Sequence, residues 1–534
     1  MKVSKLIIAG LVTLLSTAVM ADVKPAGLFT DNMVIQRQTQ ASVWGWGDPG
    51  EKVTVTGSWG ESAKTVADKD GTWSVKLQTP AAGGPHTITL KGKNTIELKN
   101  VLSGDVWLCS GQSNMQVRVQ STASPGEAIA DAKYSQIRSF MVERNPVLEE
   151  ADDCGGQWTV CSPKTVKKFS AVAYFTGREL HKTLDVPIGL LTTCWGGTCV
   201  ETWTPWAEQA DDPFALARKA SRDEKAKGYS PEKAQADFEL KLEKWKKISA
   251  SAKGKKKRTP RKPTIKGDPR LGQNYPGNLY NGMIHPLAPF AVKGAIWYQG
   301  ESNAQEMAHA EHYRVQLARM VRSWRKAWSL DFPFYAVQLP NFKEPQVNPV
   351  EPENIWPVIR ESFVDAAQNT PDVYTSSMID LGEAKNIHPR NKQDVGRRMA
   401  STILNKTYGK DTPTTPFMKS FTVEDGKGVI TFDYTGSGLM AKGGKLKTFA
   451  IAGADKKFVW ADAEIVIRAG ADCVVVSSSQ VKKPVAVRYA WADNPAECNL
   501  YSKEAFPASP FRTDDWDPPA SKPSPEKTPQ GTER

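Results

Sequence analysis

An α/β domain built on a parallel sheet, flanked before and after by β-sandwich-like domains, is the architecture this 534-residue sequence predicts. Three observations predict it. From Leu28 to Leu98 apolar and polar residues alternate with the period of half-buried strands. From Gly104 onward, short and wholly apolar runs are separated by long helix-forming stretches, the texture of a parallel sheet covered on both faces. After Pro416 the strand texture returns. A chain this long also exceeds what one hydrophobic core organises, since single cores stop growing near ~250–300 residues.

Each element follows in order. Lys2 and Lys5 precede an apolar run from Leu6 to Val19, and Val19-Met20-Ala21 offers small residues where a signal peptidase reads. The run falls short of the ~20 residues that span a bilayer. Residues 1–21 are therefore expected to be a signal peptide, and the mature protein to be exported, periplasmic or extracellular. Residues 22–101 are expected to form the first β-sandwich, with Val53/Val55, Trp73/Val75/Leu77 and His86/Ile88/Leu90 pointing inward between Gly, Asp and Pro turns. The α/β domain is placed at 102–410. Its strands include Val106–Cys109, Ile188–Leu191, Ala295–Tyr298 and Phe334–Val337, and its last helix follows His388, with Val395, Met399 and Ile403 on one face. Residues 207–270 are expected to be a surface arm, with a helix starting at Ser230-Pro231 and an apolar stripe of Phe238, Leu242, Trp245 and Ile248. A second β domain occupies 411–515, and 516–534 reads as a disordered Pro-, Ser- and Lys-rich tail.

Composition excludes several classes. With 40% hydrophobic and 24% charged residues the chain is globular, and its one long apolar run is N-terminal, so no membrane span is expected. The net charge of +12 invites a nucleic-acid reading. Eight positives, however, lie in the single acid-free stretch 253–266, and outside it and the leader the signs nearly balance. A nucleic-acid enzyme needs a basic face made by its folded domains, so no nucleic-acid partner is expected. Of seven cysteines, Cys154 with Cys161 and Cys473 with Cys498 could pair in an exported chain. No Cys-x-x-Cys or His-Glu-x-x-His pattern is present, and neither a metal nor another cofactor is expected.

Chemistry concentrates in four segments. In Gly104-Asp-Val-Trp-Leu-Cys-Ser-Gly-Gln-Ser-Asn-Met115 a buried strand runs into a tight turn and a helix start. That geometry presents Ser113, with Gln112 beside it, at the carboxyl edge of a sheet, where backbone N–H groups can meet an oxyanion. A helix-capping serine would look the same here. Cys194-Trp-Gly-Gly-Thr198 follows another strand, and Gly196 and Gly197 let the backbone approach a ligand. Trp297-Tyr-Gln-Gly-Glu-Ser-Asn303 supplies side-chain amides, Gln299 and Asn303, suited to an oxyanion hole. Ile387-His388-Pro389 offers an imidazole to serve Ser113 as general base. Trp195 and Trp297 are the best placed of 17 tryptophans to stack on a sugar, His285 could line the cleft, and the other histidines read as ordinary surface or core residues.

Together these segments resemble the blocks of the SGNH (GDSL-like) hydrolases, and in detail the sialate O-acetylesterase family. The late Tyr489-Ala-Trp-Ala-Asp-Asn-Pro495 and Pro510-Phe-Arg-Thr513 are also similar, so the resemblance runs from Leu28 to Thr513 outside the arm. It implies a three-layer SGNH-hydrolase domain and an O-acetylesterase using Ser113 as nucleophile and His388 as base. The implied oxyanion donors are the Ser113 backbone, the Gly196–Gly197 backbone, and Gln299 or Asn303. The implied substrate is an O-acetylated sialic acid or sialoglycan, with acetylated xylan or another polysaccharide as the alternative. The chain departs from the pattern at the acid: Lys385 stands three residues before the histidine and Asn386 two before it. Asp380 is the expected replacement, Glu383 lies beside it, and a Ser–His dyad is the other solution. Two competing functions remain, a non-catalytic glycan-binding protein on a degenerate esterase scaffold and an acetyl transferase.

Overall fold

The computed structural model describes residues 22–252, 261–351, 353–468 and 470–516; the expected leader, much of the basic run and nearly all of the tail lie outside the described residues. Six parallel strands form its centre: β1 (Thr95–Gly111), β2 (Ile137–Met141), β3 (Ile188–Cys194), β4 (Gly294–Tyr298), β5 (Phe334–Val337) and β6 (Val373–Ser376). Their order across the sheet is β2-β3-β1-β4-β5-β6, with Trp158–Val160 antiparallel on the outer edge of β2. Every residue of β3 and β4 is buried, because both sheet faces are covered. Besides two short helices, Pro125–Ala130 and Asn278–Met283, the helices are α1 (Ser113–Gln116), α2 (Ala171–Leu184), α3 (Pro213–Lys227), α4 (Pro231–Ala252), α5 (Met307–Trp328), α6 (Trp356–Asn369) and α7 (Lys392–Tyr408). Helices α2 and α7 pack on each other, as do α5 and α6. In α7, Val395, Met399 and Ile403 are fully buried.

The centre of the sheet determines where a site can form. β1 has β3 on one side and β4 on the other, so the chain reverses direction across the sheet there. Such a switch point opens a crevice beyond the carboxyl ends of the strands.

The first β region differs from the expected independent sandwich. Strands Gln40–Trp46, Thr72–Gln78 and Lys24–Pro25 make one small sheet. The other sheet, Lys52–Gly57, Ser62–Val66 and Gly83–Lys91, pairs with the first half of β1. The expected boundary at 101 therefore falls inside a single 17-residue strand. Up to Asn100 its residues are mostly exposed, and from Val101 all are buried, which produces the change of texture without a break in the chain. One hydrophobic core runs through both regions, from Val53 and Ile88 to Leu108 and Trp297. Buried Asp105 adds a polar tie, accepting from Arg37, Gln36 and the Tyr408 hydroxyl.

The C-terminal region has two four-stranded sheets and a two-stranded one, with a core of its own that includes Ile430, Val474, Phe449 and Val487. It is fastened to the α/β region by Arg360, a fully buried guanidinium on α6 that donates to the carbonyls of Leu339, Pro340, Ala492 and Asp493. Asp493 in turn accepts from the Trp356 amide, and Asn494 from Asn341. The Ala492-Asp-Asn-Pro495 motif is thus a clasp between regions.

The arm begins later than residue 207. Asp212 is 1% exposed; it caps α3 and accepts from His312 (2.7 Å) and Gln316 (3.2 Å) on α5, so this stretch is part of the folded body. Helix α4 is the arm proper: Phe238, Leu242 and Trp245 are half-buried, while Leu240 and Ile248 are exposed. All seven cysteines are buried free thiols, so neither Cys154–Cys161 nor Cys473–Cys498 is bonded.

Candidate active site

Ser113 stands at the carboxyl end of β1. In register, Gly111 of β1 lies between Cys194, the last residue of β3, and Tyr298, the last of β4. The segments after those two strands must therefore flank the Gly111–Ser113 turn. Gly111 permits the turn: its φ is +137°, and a Cβ there would sit 2.2 Å from the Tyr298 carbonyl oxygen. Ser113 is half-buried, and its hydroxyl makes no hydrogen bond among the described residues. Its N–H is the first of α1, where no intrahelical acceptor exists. Gln112 is 3% exposed and faces away, its Oε1 accepting from the Ser302 (3.2 Å) and Gly300 (3.4 Å) amides.

The Gly-Gly segment closes on Ser113 from the β3 side. A Cβ on Gly196 would lie 3.1 Å from the Ser113 Cβ, so the two backbones are in near contact. The Gly196 N–H donates to Gln116 Oε1 at 2.8 Å. Gln273 and Asn274 grip the carbonyls of Gly196 and Gly197. The Gly197 N–H has no partner among the described residues, and Gly197 is exposed with φ +74°. Of the two glycine amides, Gly197's is the one open to a ligand.

Gln299 and Asn303 are brought together, but not into the cleft. Both are fully buried. Gln299 donates to Asn303 Oδ1 (2.8 Å) and the Thr198 carbonyl (3.0 Å) and accepts from the Tyr313 hydroxyl. Asn303 accepts from the Val200 amide and donates to Glu201. Their amides are spent on holding the Thr198–Val200 backbone behind Gly197. Trp297 is likewise core, packed edge-on against Trp203 and Trp324, so it offers no sugar platform. Trp195 is half-buried beneath Arg144, 4.7 Å from the ring centre. His285 lies instead in a separate cleft of about 460 Å³ with Trp44 and Trp46.

His388 reaches the site on the loop before α7. The Asn114 Nδ2, one residue past Ser113, donates 3.0 Å to the Ile387 carbonyl, one residue before His388. Asn386 Oδ1 accepts from the His388 amide, and Glu383 accepts from Asn386 Nδ2 and the Arg390 amide. The exposed His388 ring makes no hydrogen bond among the described residues. Its open side faces solvent, but the protein shields the rest; that partial desolvation first, and the Lys392 charge second, hold its pKa below the ordinary value. Asp380 does not meet it. Its carboxylate binds Arg398 through both oxygens (2.6 and 2.8 Å) and accepts from the Tyr501 hydroxyl at 3.0 Å. Burial raises Asp380, but Arg398 and Tyr501 outweigh that and hold it below the usual carboxylate range.

Two features escaped the sequence reading. One is a buried chain beneath the Ser113 turn: Asn114 donates to Glu301 Oε1 and accepts from Lys392 Nζ, and both charged residues are buried. Burial pushes Lys392 down to about 7, against the pull of Glu301 and Glu383, and raises Glu301. The other is a groove of about 770 Å³ beginning at Gln116 and Cys194. Arg118, Arg144, Lys164 and Lys168 line it; all are exposed, and none has an ion-pair partner among the described residues. Glu143 is its one acid.

The comparisons with known proteins fit this architecture. The family described as carbohydrate esterase, sialic acid-specific acetylesterase matches residues 103–229 and 265–405, half of the chain, with a gap that spans the arm. Sialate O-acetylesterase of Mus musculus is 29% identical over 526 residues, covering 90% of this chain and 93% of its own. The Homo sapiens enzyme of that name is 28% identical over 526 residues, covering 91% of each. A carbohydrate acetylesterase from Xanthomonas citri is 34% identical, with a TM-score of 0.77 over 92% of this chain and 100% of its own. A crevice at the switch point, an unengaged serine within it and these matches lead to one placement: the chain belongs to the carbohydrate esterases of the sialic acid-specific acetylesterase family.

Proposed function

We propose that the protein is a serine O-acetylesterase that releases acetate from O-acetylated sialic acid. The observation that carries this reading is the juxtaposition of an unbonded Ser113 hydroxyl with the open Ser113 and Gly197 amides and a tethered His388 segment. Ser113 Oγ attacks the acetyl carbonyl while His388 takes its proton. The two backbone N–H groups meet the oxygen that becomes negative. Collapse of that intermediate expels the sugar alkoxide, which takes its proton from His388, and leaves an acetyl-enzyme. Water, deprotonated by His388, then frees acetate and Ser113.

Among the described residues no carboxylate is hydrogen-bonded to the imidazole. Asp380 is committed to Arg398, and Glu383 to the Arg390 amide. The loop itself positions the ring, through the Asn386 turn and the Asn114 tether, so the catalytic pair is a Ser–His dyad. The four unpaired cations of the groove favour an acidic sugar over neutral xylan, since exposed like charges draw an anionic ligand. The apolar leader fits an exported enzyme meeting such sugars outside the cytoplasm.

The test is acetate release from 9-O-acetylated sialic acid and from acetylated xylan by wild type and Ser113→Ala. Release from the sialic acid, abolished in Ser113→Ala, is expected. Release from xylan alone would overturn the substrate, and turnover that survives Ser113→Ala would overturn the mechanism.

A further inference from the structure

Lys392 and Glu301 are fully buried or nearly so, stand directly beneath the nucleophile turn, and take no part in the chemistry above. Burying two ionisable groups costs several kcal/mol each unless they are paired. Their arrangement explains the retention. Asn114 lies between them, its amide nitrogen on Glu301 and its oxygen on Lys392, and the same nitrogen reaches the Ile387 carbonyl. One side chain, adjacent to Ser113, thereby links a cation, an anion and the His388 loop. The Lys392 ammonium also lies 5.1 Å from the centre of the Tyr298 ring, which caps it from the β4 side.

Resting on the serine-esterase reading, we propose that Lys392 is a positioning residue for acyl transfer. Through Asn114 it locks the Ser113 turn to the His388 loop, and its charge opposes a second positive charge on the imidazole. The sequence places it four residues after His388, at the first position of α7. The charged groups facing it are Glu301 across Asn114, Glu383 in the preceding loop, and His388 itself; Arg390 sits in the same loop, held by Glu383. Protonating His388 would bring a second positive charge to the loop that Asn114 ties to the Lys392 ammonium, so the two charges compete. The result is a histidine that stays neutral, and able to accept the Ser113 proton, to lower pH than an ordinary imidazole. The lowered pKa of His388, with Lys392 among its causes, agrees with this direction.

The experiment is the pH dependence of p-nitrophenyl acetate hydrolysis, together with NMR titration of the His388 ring assigned with His388→Gln. Both are run on wild type, Lys392→Met and Lys392→Gln. Lys392→Gln keeps a neutral donor for Asn114 while removing the charge, so it decides the matter if Lys392→Met does not fold. Removing the lysine charge is expected to raise the His388 midpoint and the acid limb of kcat/KM by roughly 0.5 pH unit or more. A tenfold or larger fall in kcat with little change in KM is expected beside it. A folded variant whose His388 titrates as in wild type overturns the proposal. The NMR midpoint needs no turnover. Failure of the esterase reading would appear separately, as wild-type hydrolysis that persists in Ser113→Ala.

Discussion

Replacing Gly196 by alanine tests the proposed site without touching a reacting atom. The new Cβ would lie 3.1 Å from Ser113 Cβ, 3.2 Å from Gln116 Oε1 and 3.4 Å from Ser113 Cα. Ordinary carbon contacts begin near 3.5 Å, so Ser113, Gln116 or both must retreat by a few tenths of an ångström. Gln116 cannot move freely without loosening its 2.8 Å bond from the Gly196 amide. A displacement of about 1 Å in an active site costs about 10²-fold, and a third to a half of that corresponds to roughly 5- to 10-fold in kcat. Overpacking costs about 1–3 kcal/mol in a tight core, and Gly196 is only half-buried, so about 1 kcal/mol of stability is the expected loss. Gly197→Ala supplies the contrast. Its φ of +74° penalises a side chain by about 1–2 kcal/mol, yet its Cβ would meet the flexible end of Gln273 at 2.9 Å, not Ser113. The assay pairs kcat for acetate release with thermal unfolding for both variants. Gly196→Ala should lose turnover in excess of stability, and Gly197→Ala stability in excess of turnover. A Gly196→Ala enzyme with wild-type kcat would show that the Ser113 turn does not work against this segment.

Three further outcomes follow from the same contacts. Arg360→Ala would strand four buried carbonyls, at about 1 kcal/mol or more each, and should lower the melting temperature steeply and release the C-terminal sheets first in limited proteolysis. Asp380→Asn should cost about 3 kcal/mol and lower kcat by less than about tenfold, whereas loss of a triad acid costs about 10⁴-fold. Because Asp380 is held below its unfolded value, its contribution is complete above the ordinary carboxylate range and fades as pH falls through the folded value; unfolding followed below about pH 5 should show that slope in wild type and not in the variant. Lys168→Glu should raise KM severalfold for O-acetylated sialic acid but not for p-nitrophenyl acetate, and the difference should shrink as salt rises to about 0.5 M, where screening shortens to a few ångströms.

How much of this was legible before the structure depends on what each residue's neighbours are. Ser113 and the Gly-Gly segment were readable because strand and turn signals are local, and a loop after a buried parallel strand must emerge at the carboxyl edge of the sheet. Gln299 and Asn303 sit in an equally well-marked loop, but an amide looks the same in sequence whether it faces the cleft or the core. Contacts with Thr198, Val200, Glu201 and Tyr313, each remote or on another element, decide that they brace the loop. Asp380 was chosen for its nearness to His388 along the chain; Arg398, one turn and a half into α7, and Tyr501 from the C-terminal region claim it instead. The texture change near Gly104 was real, yet it marks where one strand passes from one covered face to two, and only pairing partners distinguish that from a domain boundary. Lys392 was the least readable, since a lysine opening a helix ordinarily points to water. Its one local cue was position, four residues after His388, and only the contacts with Asn114 and Glu301, remote along the chain, show that it turns inward.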